Sequence, residues 1–139
     1  MLLDVGVWLA ALWQGHVHHQ RVAPWFDDHD GELVLCRVSQ MGVLRLLCNS
    51  AVMGDDVLTR ATSWTVIDRL RSDERVRFAP EPPQLEQVWR ALSAREDNSH
   101  KLWTDDYLAA FAQAADRPLV TLDTAFVHRY RSISVHSLL

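Results

Sequence analysis

Trp103–Ala112, WTDDYLAAFA, is the stretch from which the rest of the chain can be read. Leu108, Phe111, Ala112 and Ala115 recur at i, i+3, i+4 and i+7, the spacing of a buried stripe on an amphipathic helix. Asp105 lies three residues before Leu108, so the spacing puts it on the same inward stripe in the first helical turn. Asp106 is rotated by about 100° and is expected on the flank or in solvent. An acid that opens an apolar stripe has two readings. It can be a helix-start carboxylate satisfied by free backbone N–H groups and the helix dipole. It can also be a ligand.

Working outward, apolar runs of strand length alternate with helical stripes. Leu2–Leu3 reads as a very short buried strand ending at Asp4, and Val5, Trp8, Leu9 and Leu12 begin a helix at once. Gly15 closes it, and HVHHQRVAPWF starts a second helix that Pro24 should kink or divide. Glu32–Cys36 is the next strand. Ser39 is placed to cap the helix after it, on which Gln40, Val43, Leu44 and Leu47 form the stripe. Gln40, like Asp105, is thus a polar residue at the start of an inward stripe. A helix over about Leu58 to Arg71, a short strand at Val76–Phe78 and a helix beginning in the PEPP segment at Pro80–Pro83 follow. Beyond the opening helix, LVTL runs to Asp123, Phe126 begins a short helical turn, and Ile133–Val135 is a last strand. This alternation predicts an α/β sandwich with a mainly parallel sheet, folded as one domain over residues 1–139.

Composition narrows the function. Hydrophobic content of 48% and charged content of 23% are those of an ordinary globular domain. Fourteen Lys and Arg against 18 Asp and Glu give a net charge of −4, which excludes gripping nucleic acid by bulk charge alone but not a local basic rim. Arg69, Arg71, Arg75 and Arg77 crowd one region and Arg129 and Arg131 another; runs of this kind are ordinarily solvated faces. Cys36 and Cys48 form no CxxC pair and read as free thiols of a reducing compartment. The N-terminus lacks the pattern of a signal peptide, and no apolar run approaches the ~18 residues of a membrane span. The expectation is a cytoplasmic protein with no membrane partner.

In parallel α/β sheets ligands bind at the carboxyl ends of strands, near helix N-termini. Asp4 and Asp123 each follow a strand, while Asp105 and Gln40 each open a helix, so all four can meet at one sheet edge. Carboxylates aimed at one point repel each other and persist chiefly where a cation neutralises them. Oxygen donors without Cys or His suit a hard ion, Mg²⁺ or Mn²⁺, which can acidify a bound water and clamp phosphate oxygens. Phosphodiester cleavage is the chemistry such a site suggests.

Four segments, LLDVGVWLAAL, CRVSQMGVLRLL, WTDDYLAAFA and LVTLDTAF, together resemble, in this order, the PIN-domain ribonucleases of the VapC toxin type. The resemblance covers essentially the whole chain. It implies a PIN-like three-layer α/β/α sandwich and an endoribonuclease that cuts tRNA or rRNA with Mg²⁺, for which Mn²⁺ can substitute. It also implies restraint by a cognate VapB-type antitoxin, and a homodimer. Asp4 then matches the first metal-holding acid, Asp105 the acid of the helix, and Asp123 the acid after the strand. Thr121 matches the supporting hydroxyl. Two departures stand out. Gln40 occupies a position that is Glu in many members, although a subgroup carries Gln there, and Gly6 stands where Asn is usual. Gln40 can still accept a hydrogen bond from a metal-bound water but adds no charge. Gly6 removes an amide that could support Asp4. A weakened or dead scaffold that binds RNA or an antitoxin-like protein is therefore the alternative. A phosphatase or phosphoacceptor would want an Asp-x-Asp after the first strand or a Lys near the last, and neither is present.

Other residues invite weaker readings. Arg45, five positions past Gln40, can flank the pocket and grip RNA phosphate, or make an ordinary salt bridge. Glu81 can replace a missing acid or be a solvated loop carboxylate. His16, His18 and His19 lack the spacing of a preorganised zinc pair and read as surface or helix-start residues. Trp103 stands beside Asp105 at the expected mouth, where it can touch RNA.

Overall fold

A computed structural model describes residues 1–139. The elements in chain order are β1 (Leu2–Leu3), α1 (Val5–Leu12), α2 (His19–Asp28), β2 (Leu33–Leu35), α3 (Arg37–Leu47), α4 (Ser50–Met53), α5 (Arg60–Arg71), β3 (Val76–Phe78), α6 (Leu85–Ser93), α7 (Trp103–Ala114), β4 (Leu119–Thr121), α8 (Thr124–Arg129) and β5 (Val135–Ser137). The five strands form one sheet in the order β3-β2-β1-β4-β5, and every pair is parallel. The sheet is thus wholly rather than mainly parallel. Its central strands are apolar throughout because both faces are covered. Leu3, Leu33, Leu35 and Val120 point to one face, into a core shared with α1, α2, α3 and α5. Leu2, Val34 and Leu119 point to the other, against α6, α7 and the Phe126–Tyr130 end of α8. Helices on both faces of one parallel sheet make the expected three layers.

Several local expectations shift, each for a physical reason. Pro24 lies inside α2, which runs as a single ten-residue helix. The N-cap of α3 is Cys36, and Ser39 sits three residues into the helix, where its hydroxyl accepts from the Cys36 N–H at 3.1 Å. The helix after β3 starts at Leu85, beyond the prolines, with Gln84 at φ 67° turning the chain into it. The last strand pairs two residues later than expected, at Val135–Ser137. The largest change concerns α7. All seven residues from Asp106 to Phe111 and Ala112 are buried, so this helix is enclosed nearly all round and carries no simple stripe. The acid drawn into the protein is Asp106, which is 9% exposed, while Asp105 is half-buried. The expected exposure of the pair is reversed.

β1 lies at the point where the chain order reverses, with β2 on one side and β4 on the other. In open parallel sheets such a switch point opens a crevice at the carboxyl strand ends. The register pairs Leu3 with Val120, so the next residues, Asp4 and Thr121, are neighbours at that crevice.

Candidate active site

Asp4 is held from several directions. One oxygen accepts from the Val7 N–H at 2.9 Å, capping α1, and the other accepts from the Thr121 hydroxyl. The Thr121 oxygen in turn accepts from the Asp123 backbone N–H at 3.0 Å. One buried hydroxyl therefore ties the first acid to the turn that carries the third. Burial pushes the Asp4 carboxyl above the ordinary aspartate range, opposed by the hydrogen bonds from Thr121 and from the backbone of Val7, Leu122 and Gly6.

Asp123 N-caps α8, accepting from the Ala125 N–H at 2.8 Å, and leaves its second oxygen towards the crevice. Asp105 enters from α7. Arg129, the last residue of α8, stands between them: its Nη1 is 3.0 Å from Asp105 Oδ2 and 3.7 Å from Asp123 Oδ2. Burial raises the Asp105 carboxyl; the Arg129 guanidinium lowers it, and Asp123 and Asp4 both push it up again. The three acids are thus chained together, Asp4 to the Asp123 turn through Thr121 and Asp123 to Asp105 through Arg129. They are not drawn together into a closed ligand set, and an internal guanidinium supplies the neutralising charge. As donors they are hard oxygens on two fixed elements and one helix turn, a set whose chemistry fits a divalent hard cation.

The remaining candidates separate. Asp106 has a structural partner: the Tyr130 hydroxyl donates to it at 2.5 Å, and burial first and this bond second push the phenol well above its usual range. Gln40 is buried at the start of α3, but its carbonyl oxygen accepts from Arg37 at 2.5 Å, and Arg37 lies over the Phe78 ring. The accepting atom expected to face a bound water is thus engaged, and the group without a partner is the amide Nε2, a donor. Arg45 does not flank the acids. It lines a separate groove between α3 and α5 with Met41, Leu44, Arg60 and Trp64. Five helical residues are about 500°, so Arg45 is turned some 140° from Gln40. Glu81 is exposed and accepts from the Tyr107 hydroxyl at 2.8 Å.

Arg129 is the site residue that the sequence conceals. A basic residue in the last turn of a helix already has a role in complementing the dipole, and nothing local marks it as a partner of Asp105.

A profile of the PIN domain matches residues 1–131. The chain belongs to the PIN-domain family. Among relatives, this PIN domain is 39% identical to "Ribonuclease VapC41" of Mycobacterium tuberculosis over 99% of its own length and 98% of that protein's. It is 28% identical to "Ribonuclease VapC29" of the same organism, over 97% and 94%. It is therefore a PIN domain of the VapC type. Solved structures agree in fold. VapBC2 of Rickettsia felis, crystallised with a promoter DNA fragment, aligns with TM-score 0.69 at 10% identity over 98% of this chain and 96% of that one. FitAcB of Neisseria gonorrhoeae aligns with TM-score 0.61 at 18% identity over 99% and 96%. No helix is long and apolar enough to cross a membrane.

Proposed function

We propose that this PIN domain is a metal-dependent endoribonuclease, the toxin of a VapBC-type pair, which cuts phosphodiester bonds in tRNA or rRNA in the cytoplasm. What supports the reading is the chain of contacts at the β1/β4 switch point, Thr121 joining Asp4 to the Asp123 turn and Arg129 joining Asp123 to Asp105, in a chain 39% identical to a protein named as a ribonuclease. Asp4, Asp105 and Asp123 would hold Mg²⁺ or Mn²⁺, which when bound supplies Lewis-acid stabilisation of phosphoryl oxygens and a nucleophile at neutral pH. Thr121 positions Asp4 and the Asp123 turn. Arg129, which pairs with Asp105 and Asp123, would be placed to take an RNA phosphate as a charge-assisted partner. A VapB-type antitoxin and a second copy of the chain are the expected protein partners, in keeping with the toxin–antitoxin assemblies among the structural neighbours.

Asp4→Asn and Asp105→Asn should each lower Mn²⁺-dependent cleavage of total tRNA by at least about a hundredfold, the scale of losing one electrostatic group at a reacting centre. If both variants cut as fast as the parent, the site assignment is wrong. A second reading, a PIN scaffold without catalysis, is favoured by Gly6 and by the engagement of the Gln40 carbonyl with Arg37. It predicts no Mn²⁺ heat in calorimetry, before or after Gln40→Glu.

A further inference from the structure

The acids can break a phosphodiester, but selection of one bond needs contacts to the neighbouring nucleotides. Beside the acids lies a recess of about 550 Å³, walled by the loop that follows α6, the start of α7 and the end of α8. Its lining includes Trp103, Arg95, Asn98, His100, Arg129 and Tyr130. Arg129 belongs to both places: the guanidinium that bridges Asp105 and Asp123 also forms a wall of the recess. We propose that this recess is a nucleobase pocket, which takes the unstacked base of one single-stranded RNA nucleotide next to the scissile phosphate, against the ring of Trp103. The proposal rests on the ribonuclease reading and deepens it.

Three features support a base rather than a bare anion. The volume falls within the range of organic-ligand pockets, about 300–1,000 Å³, larger than a phosphate needs. Trp103 is 56% exposed although it is among the largest apolar side chains. It is nonetheless fixed: its ring packs edge-on against Trp89 at 6.0 Å and 78°, and Trp89 packs edge-on against Tyr107 at 5.4 Å and 86°. A braced, half-exposed indole is a stacking platform that loses little freedom when a base covers it. Finally, the recess combines cations for the backbone with an amide for the base edge. Arg95 and Arg129 serve the first purpose, and Asn98 with the His100 imidazole the second. Its two acids are already engaged, Asp106 by the Tyr130 hydroxyl and Asp97 by the Ser99 N–H at 2.9 Å.

The test uses the full chain and short, dye-labelled single-stranded RNAs in EDTA, where binding is read by anisotropy without cleavage. One abasic nucleotide is moved stepwise along the strand. In the parent, one abasic position should weaken binding about tenfold. Trp103→Ala should weaken binding of the intact strand by a similar factor and be indifferent to that abasic position, while Trp103→Phe should retain most of the affinity. Mn²⁺ affinity should be the same in all three proteins. Equal abasic effects in parent and Trp103→Ala, or unchanged binding of the intact strand, overturn the pocket; a recess built for a side chain of a protein partner gives that result. In that case continued cutting of tRNA by the parent keeps the ribonuclease reading. If the parent neither binds the strands nor cuts tRNA, both fall.

Discussion

The two halves of the acidic crevice are built differently. On the sheet side, Asp4 is half-buried and held by Thr121 and by backbone N–H groups, and Thr121 also fixes the start of the Asp123 turn. On the helix side, the Asp105 and Asp123 side chains are 35% and 44% exposed and share one guanidinium. The sheet side is set by strand register and can change only if the fold does. The helix side is set by an ion pair open to water, and such pairs rearrange at low cost. A site of this kind has a rigid anchor and an adjustable jaw, so substitutions on the two sides should differ in what they disturb.

The most severe test is the loss of activity expected for Asp4→Asn and Asp105→Asn, because the proposed cleavage draws on both halves. The two should nevertheless part in stability. Asp4→Asn relieves a desolvated charge while leaving an N-cap in place, so the metal-free melting temperature should rise more than for Asp105→Asn, which breaks the Arg129 pair. Next in size is a gain. A Cβ at residue 6 would meet Asp4 Oδ1 at 3.4 Å, ordinary contact, so Gly6→Asn can bring an amide to the anchor. Restoring such a partner should raise Mn²⁺ affinity or cleavage by about tenfold, within the 10–100-fold scale for outer ligands; no gain would show that the anchor is already saturated.

Gly42→Ala probes the anchor from behind. A Cβ there would lie 2.5 Å from Val5 Cγ2, a stiff β-branched side chain at the start of the helix that Asp4 caps. Overpacking should cost about 1–2 kcal/mol in urea denaturation, and it should disturb Asp4 while sparing the Arg129 pair. On the jaw, Arg129→Gln should tighten Mn²⁺ several-fold in calorimetry while weakening RNA binding. An unchanged Mn²⁺ affinity would show that the guanidinium does not compete for the carboxylates.

The smallest effect is the dependence of stability on pH. Asp4 and Asp105 both have carboxyl values raised in the folded state. The folded chain therefore holds their protons more tightly than the unfolded chain. Their favourable contribution is complete below the ordinary aspartate value of about 3.9 and is lost as pH rises through the raised values. The metal-free melting temperature should fall over this window, and less steeply in Asp4→Asn than in the parent.

This contrast also explains what could be read from the residues alone. The strand-end positions of Asp4 and Asp123 are legible because parallel register fixes where a residue goes, whereas Thr121 is marked only by the family resemblance. The wholly parallel sheet and the three layers follow from the same alternation. The helix-start position of Asp105 is legible, but its exposure relative to Asp106 is not. The i, i+3 argument presumes one buried face, and α7 is covered on most sides. Arg45 was misplaced because proximity in sequence on a helix is not proximity in space. Arg129 and the Trp103 recess depend on how α7, α8 and the loop after α6 fold against each other, and no local spacing records that.

The contact between Asp4 and Thr121 joins residues 117 positions apart, and Arg129 comes later still. A nascent chain that has emerged with β1 to α7 already carries two of the three acids, yet β4 is still missing from beside β1. Long-range parallel pairing of this kind forms late. During translation, therefore, the first acid has no partner strand until the final segments appear. On the proposed reading, the three acids are therefore assembled only when synthesis is nearly complete.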